Sequence, residues 1–325
     1  MAAELSKGNT TKSPIYRVFS QFHNIGAAYT GKGTSSSNNY FSFHRPTATD
    51  PAEVLNFLTS NLKELSIRES FDPTRVIWPN GPWPHSGNAI KVEDHNFITN
   101  PRTGGLMPVT ASDYPVTYDG IATGSVDYVL AVQGADCPAI FFYDLSAHVI
   151  GLAHAGWKPL VRGVIPKTIQ VMKQLGARPE NVLAYISPGS GDKYTQFLWD
   201  GKMESHIRDV FVEAGREDLL EDRTLRYEIT DQDREALASA LGREVQKGTS
   251  FKISEYATVV LEQCGVLPGN VSRSLDSSIV SRNPYSGEKE SASFRYHSFR
   301  REQPKHGLSI SILFLKGDPC GGYDA

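Results

Sequence analysis

Two apolar runs rich in β-branched and aromatic residues, Ala139–Asp144 and Val149–Ala153, flank the short polar break Asp144-Leu145-Ser146-Ala147. That pattern specifies an antiparallel hairpin, and the rest of the chain has to be built around it. With the turn centred on Leu145 and Ser146, Asp144 faces Ala147 and Tyr143 faces His148. Carried outward, the same register sets Cys137 opposite His154. Directly opposed side chains have Cβ atoms about 4.5–5.5 Å apart, which lets a thiolate and an imidazole share one metal ion. A cysteine in an apolar run is otherwise a small core hydrophobe, and a histidine at a strand end a satisfied polar residue. The neighbourhood favours chemistry. Asp136 precedes the cysteine, and Ala155-Gly156 after His154 leaves the backbone open to close approach before Trp157.

The bulk numbers narrow the class. A chain of 325 residues can bury an ample core. Its formal net charge of −3 carries no footprint for duplex nucleic acid or an acidic membrane. Three scattered cysteines without a CxxC pair argue against a disulfide framework and for a reducing compartment. No apolar run approaches the roughly 20 residues of a membrane span. The N-terminal stretch lacks the apolar core of a signal peptide. The expectation is a soluble, cytoplasmic protein with a disordered tail over 1–15, one domain over 16–318 and a short tail over 319–325.

In chain order, Gly31–Asn39 reads as a Gly- and hydroxyl-rich loop able to offer N–H groups to an anion, followed by a strand over Tyr40–Phe43. Asp50-Pro51 opens a helix whose apolar face is Val54, Phe57, Leu58, Leu62 and Leu65. Arg75–Trp78 reads as a strand, and Glu93–Pro115 as a long structureless insertion, either a lid or a tolerated surface loop. A helix is expected over Pro159–Gly176, with Val161, Val164, Ile165, Ile169, Met172 and Leu175 in one stripe, then a strand over Val182–Ile186. Asp200–Gly248 is charge-dense, with solvated helices at Ile207–Ala214 and Asp231–Val245 and carboxylates, Asp233 among them, on a solvated face. Ile253–Gly265 is a further helix, and Leu308–Leu315 a strand. The alternation gives an α/β (mixed α+β) fold: one domain, a central mixed sheet and flanking helices.

The motif ADCPAIFFYD followed by HAGW resembles the signature of the family known as multicopper polyphenol oxidoreductases or laccase-domain proteins. Several flanking blocks resemble it too: Tyr118-Asp119-Gly120-Ile121-Ala122-Thr123 before the central strand, Ser187–Gly191 before Tyr194, and Tyr296-His297-Ser298-Phe299-Arg300-Arg301 before the last strand. The resemblance implies the laccase-domain fold, shared with cysteine hydrolases, and zinc-dependent phosphorolysis of purine nucleosides or deamination of adenosine. It aligns His85 with a metal-binding histidine, although Trp83 and Ser86 stand where the family has Gln and Gly. A His85, Cys137 and His154 set would then hold Zn, with Asp136 as catalytic acid/base or orienter. Arg300, Arg301 and Lys32 would contact phosphate.

The family's name is not itself matched by the residues. A multicopper oxidase needs paired histidines, whereas this chain has nine histidines and no His-x-His. Three readings remain: the zinc purine nucleoside enzyme, a Cys–His amidase or hydrolase on the same fold, and a divergent binding protein without catalysis. The expected partners are a purine nucleoside and phosphate, with neither nucleic acid nor membrane.

Overall fold

The computed structural model describes residues 4–5, 15–32, 51–78, 85–101, 103–199, 202–282, 294–303 and 306–317. The expected strand over Tyr40–Phe43, the Asp50 cap, most of the Gly31–Asn39 loop, Trp83 and the side chains of Val54 and Phe57 lie outside them.

The α/β fold is present, but its β-structure is divided into two large sheets and a small one. The first sheet has eight strands and carries Ile25–Thr30, Ser309–Leu315 and Val129–Gly134 side by side at its centre. The second has six, in the order Val271–Arg273, Val182–Ile186, Ala139–Asp144, Val149–His154, Gly120–Thr123 and Ala89–Lys91. The two pack face to face. Side chains alternate along each strand, so Ala139, Phe141 and Tyr143 point into the layer between the sheets, where they meet Leu130, Val132 and Leu313. Ile140 and Phe142 point the other way, onto Val164, Ile165 and Ile169 of the helix Val164–Gln174 and onto the helix Ile253–Gln263. The outer face of the first sheet, including Ala131, Ile312 and Phe314, is covered by Leu58, Leu62 and Leu65 of the helix Pro51–Glu69. The order is therefore helix, sheet, sheet, helices. Each large apolar side chain fully buried here contributes about 1.5–3 kcal/mol, and Phe141, Phe142 and Tyr143 have no exposed surface at all.

The central hairpin forms with a different register. Asp144 pairs with Val149 and Ala139 with His154. The connection is the four residues Leu145–His148 because the Asp144 side chain takes over the turn, accepting from the Ser146 and Ala147 amides at 2.8 and 3.0 Å. Its other oxygen accepts from the Arg178 amide at 2.8 Å. Cys137 thus lies beyond the strand end and has no cross-strand partner.

Other expectations change for local reasons. The helix expected over Pro159–Gly176 is two, Trp157–Val161 and Val164–Gln174, divided where Gly163 takes φ +87°. Glu93–Pro115 is not structureless: Asn96–Thr99 and Leu106–Val109 pair as an antiparallel hairpin at the edge of the first sheet. The helix from Asp231 stops at Leu241, where Gly242 adopts φ +66°. Asp233 is buried rather than solvated, closing a capping box with Thr230 and accepting from the Tyr227 hydroxyl at 2.6 Å. Among the described residues, no helix is long and apolar enough to cross a membrane.

Candidate metal centre and adjoining cleft

His154 ends the strand Val149–His154 and is 3% exposed. Its backbone N–H donates to the Asp119 carbonyl at 2.8 Å, which joins it to the residue preceding the neighbouring strand Gly120–Thr123. The Asp119 carboxylate then holds the ring: Oδ1 lies 3.1 Å from Nδ1 of His154. Its Oδ2 accepts from the Ser86 hydroxyl at 3.0 Å and the Gly87 amide at 2.9 Å. One buried carboxylate therefore fixes both the histidine of the hairpin and the turn that carries His85.

That turn is bent sharply, with His85 at φ +52° and Gly87 at φ +69°. A Cβ at Gly87 would lie 2.6 Å from Cβ of Arg162, so only glycine fits this approach. Arg162 closes the arrangement by donating from Nη1 to the His85 carbonyl at 2.7 Å. The His85 and His154 rings lie 5.3 Å apart, centre to centre. Nδ1 of His85 is buried with no hydrogen-bond partner. His85, Asp119 and His154 bring ligand atoms within 4.8 Å of one another, a cluster able to hold a metal ion.

Cys137 reaches this cluster from the loop that joins the two sheets. Its thiol lies beside the His154 ring. A Cβ on Gly156 would lie 2.8 Å from Cys137 Sγ and 3.5 Å from Cε1 of His154, so the sulfur occupies the space that glycine leaves. The register differs from the expected one, and it is the loop, folding back over the strand end, that brings Cys137 beside His154.

The electrostatics separate the two imidazoles. Burial, reinforced by His154, pushes His85 down to about 4, so its ring is neutral at pH 7. Burial also acts to depress His154, but the charge of Cys137 and the hydrogen bonds to Asp119 and Cys137 outweigh it and raise the ring to about 9. Burial works to raise Asp119, while its bond to His154 and the Gly87 and Ser86 donors hold it below the usual carboxylate range.

The remaining expected site residues are placed around the cysteine loop. Asp136, at φ +80°, is turned away from the histidines, accepting from the Ser278 hydroxyl at 2.6 Å and the Arg300 amide at 2.9 Å. Arg301 directs four donors inward, to the carbonyls of Ser278, Ile279 and Tyr296 and to Glu302. Lys32 meets the same Glu302 at 2.6 Å. Arg300 donates to the Tyr194 carbonyl at 2.6 Å and borders a cleft of about 570 Å³. Trp157, Glu204, His206, Arg243 and Gln303 share that lining.

Asp119 and Arg162 were not singled out as functional in the sequence, nor was Arg243. Asp119 lies 35 positions before His154, and only the pairing of their strands brings them together.

With the geometry in place, the chain can be set among known proteins. It belongs to the multi-copper polyphenol oxidoreductase laccase family, whose pattern matches residues 28–316. It is similar to a protein of Deinococcus radiodurans named purine nucleoside phosphorylase, 42% identical over 77 residues, which is 23% of this chain and 30% of that one. It is also similar to purine nucleoside phosphorylase YlmD of Bacillus subtilis, 28% identical over 200 residues, 61% of this chain and 59% of that one. The matched stretches thus span less than two thirds of either relative. In fold it resembles the hypothetical protein YfiH of Bacillus licheniformis, with a TM-score of 0.67 and 17% identity over 96% of this chain and 99% of the other.

Proposed function

We propose that this chain is a zinc-dependent purine nucleoside enzyme that splits adenosine or inosine with phosphate, and deaminates adenosine on the same centre. The observation that carries the reading is the buried, unpartnered Nδ1 of a neutral His85 whose ring lies 5.3 Å from that of His154, with Asp119 in the same cluster. An orphaned ring nitrogen in a buried site asks for a partner. A neutral imidazole and a thiolate are the donors that zinc accepts. The residues therefore fit the metal.

In this reading His85, Cys137 and His154 hold the ion. Asp119 orients His154 through Nδ1, as a carboxylate behind a ligating histidine does. Bound zinc supplies Lewis acidity and lowers the pKa of water toward about 7. The protein's own residues do the rest. Trp157 offers an aromatic wall to a base at the cleft, and Arg300 offers donors to an anion beside Cys137. Asp136, braced by Ser278 and Arg300, holds the cysteine loop in place; Lys32 and Arg301, gathered on Glu302, hold the loop that carries Arg300. In phosphorolysis the C1′–N bond breaks with its electron pair leaving on the base. A phosphate oxygen forms the new bond to C1′, and a proton is delivered to the departing base.

A hydrolase using Cys137 as nucleophile and His154 as base is the second reading, favoured by the placement of both side chains against Gly156. The test is incubation of the zinc-loaded protein with adenosine and inosine, with and without phosphate, reading free base, ribose 1-phosphate and ammonia. Phosphate-dependent base release, lost in Cys137→Ala, is expected. Protein shown to carry zinc that leaves every purine nucleoside unchanged would sink the reading.

A further inference from the structure

We propose that the strand Asn96–Thr99 is a docking edge for a second copy of this chain, which pairs with it antiparallel across a two-fold axis at Ile98. The hairpin that carries this strand belongs to the 93–115 stretch, and the chemistry of the histidine cluster makes no use of it.

Asn96–Thr99 is the last strand of the eight-stranded sheet and, among the described residues, is paired on one side alone, to Leu106–Val109. The ladder shows which backbone groups are left over. The Leu106 carbonyl accepts from the Trp78 amide at 3.2 Å and the Pro108 carbonyl from the Val116 amide at 3.0 Å, so both turn away from the edge strand. Their opposite residues, Thr99 and Phe97, turn away as well, because facing residues of an antiparallel pair either exchange bonds or both point outward. Among the described residues, no hydrogen bond reaches the N–H or C=O of Phe97 or Thr99. Natural edge strands are commonly blunted by lysine, proline or a bulge. Asn96-Phe97-Ile98-Thr99 has no charge, no proline and an unbroken register, and Ile98 is 40% exposed.

What fits such an edge is another extended backbone, and the strand is complementary to itself. Pairing Phe97 with Thr99 of the second copy, and Thr99 with its Phe97, uses every free group in four backbone hydrogen bonds. Other two-fold registers lose some of them. One centred on Phe97 sets Thr99 against His95, whose N–H already donates to Val92. One centred on Thr99 sets Phe97 against Pro101, which has no N–H. The register at Ile98 places the two isoleucine side chains directly opposite each other, with Cβ atoms about 4.5–5.5 Å apart. It also matches charge. Asp94 stands four residues before Ile98 and Arg102 four after, so the register sets each acid level with the arginine of the other copy. Asp94 is exposed and meets Lys91 through Oδ1, which leaves Oδ2 for that contact. A pairing this short buries little surface, so the association is weak, and a two-fold contact closes on itself at the dimer.

Sedimentation velocity of the purified full chain, from about 5 to about 500 µM, reads the monomer–dimer equilibrium, with melting temperature as the control for folding. A dimer with a Kd of about 10 µM to about 1 mM is expected. Ile98→Lys puts two like charges at the axis, and Thr99→Pro removes an outward N–H that the chain's own ladder does not use. Each should weaken the dimer by at least about tenfold while the melting temperature moves little. Asp94→Arg and Arg102→Asp should each weaken it several-fold, and the double variant, in which every acid again faces an arginine, should recover it. A chain that stays monomeric at every concentration overturns the proposal and leaves the edge to a strand of a different protein. A dimer as tight in Ile98→Lys as in wild type, or one that the double reversal fails to restore, overturns it as well.

Discussion

Asp119 and His154 meet at 3.1 Å between a carboxylate oxygen and Nδ1, buried on both sides, and the contact fixes the orientation of the ring. The same carboxylate fastens the His85 turn, so one residue sets the relative position of two candidate ligands that come from different elements.

Asp119→Asn keeps the shape of the side chain and removes its charge. Metal affinity is expected to fall by about 10–100-fold, as for other partners of ligating histidines. Competition against a chelator of known affinity measures it. Wild-type retention of metal would show that the ring is oriented by its backbone alone.

Gly156→Ala places a methyl group where the Cys137 sulfur sits, at 2.8 Å. The thiol has to move, because backbone on both sides of it is fixed by strands. The expected result is altered reactivity of Cys137 toward a thiol reagent and reduced metal content, in a protein that still folds. Unchanged thiol kinetics would place the sulfur elsewhere.

Arg162→Ala removes the donor to the His85 carbonyl and frees a turn held at positive φ. Such backbone conformations cost about 1–3 kcal/mol and persist only where neighbours impose them. Metal affinity should drop several-fold while the melting temperature moves little. Arg162→Lys, which can still donate to the carbonyl, should recover part of it.

Glu302 gathers Lys32, Arg301 and the buried His297 in a partly buried network. Burial works to raise its carboxyl, but His297 and Lys32 overcome that and hold it far below the usual carboxylate range. A depressed folded-state pKa adds stability that is fully present above the unfolded value of about 4.3 and is lost as pH falls toward the folded value. Wild type should therefore lose stability progressively below about pH 4. Glu302→Gln should be less stable at neutral pH by on the order of 3 kcal/mol, with a flatter acid limb. Denaturant titrations at several pH values decide it, and parallel acid limbs would exclude Glu302 as the source.

How far the sequence reveals this molecule can be judged residue by residue. The strands Ala139–Asp144 and Val182–Ile186 were fully legible, since β-branched and aromatic runs of that length bury poorly in any other form. Their sharing of one sheet was expected and is found, whereas the existence of a second large sheet was not legible: runs buried on both faces carry no sign of which layer covers each face. The hairpin register failed by two residues because Asp144 reads equally as the last strand residue and as the acceptor that shapes the turn. Cys137 and His154 were named as candidates by pattern. Asp119 was not, because its role depends on a neighbouring strand that spacing does not identify.

The loop Ala135–Pro138 leaves the first sheet after Gly134 and enters the second at Ala139, so the thiol stands on the seam between two layers while His154 belongs to one of them. The distance between sulfur and imidazole is thus a gauge of how closely the sheets are stacked. Substitutions that thin the layer at Phe141 or Leu313, remote from any ligand, act on the thiol as a shim removed from beneath one jaw of a vice. Loss of function in such variants would precede any loss of fold, and the sulfur would be the first atom to report it.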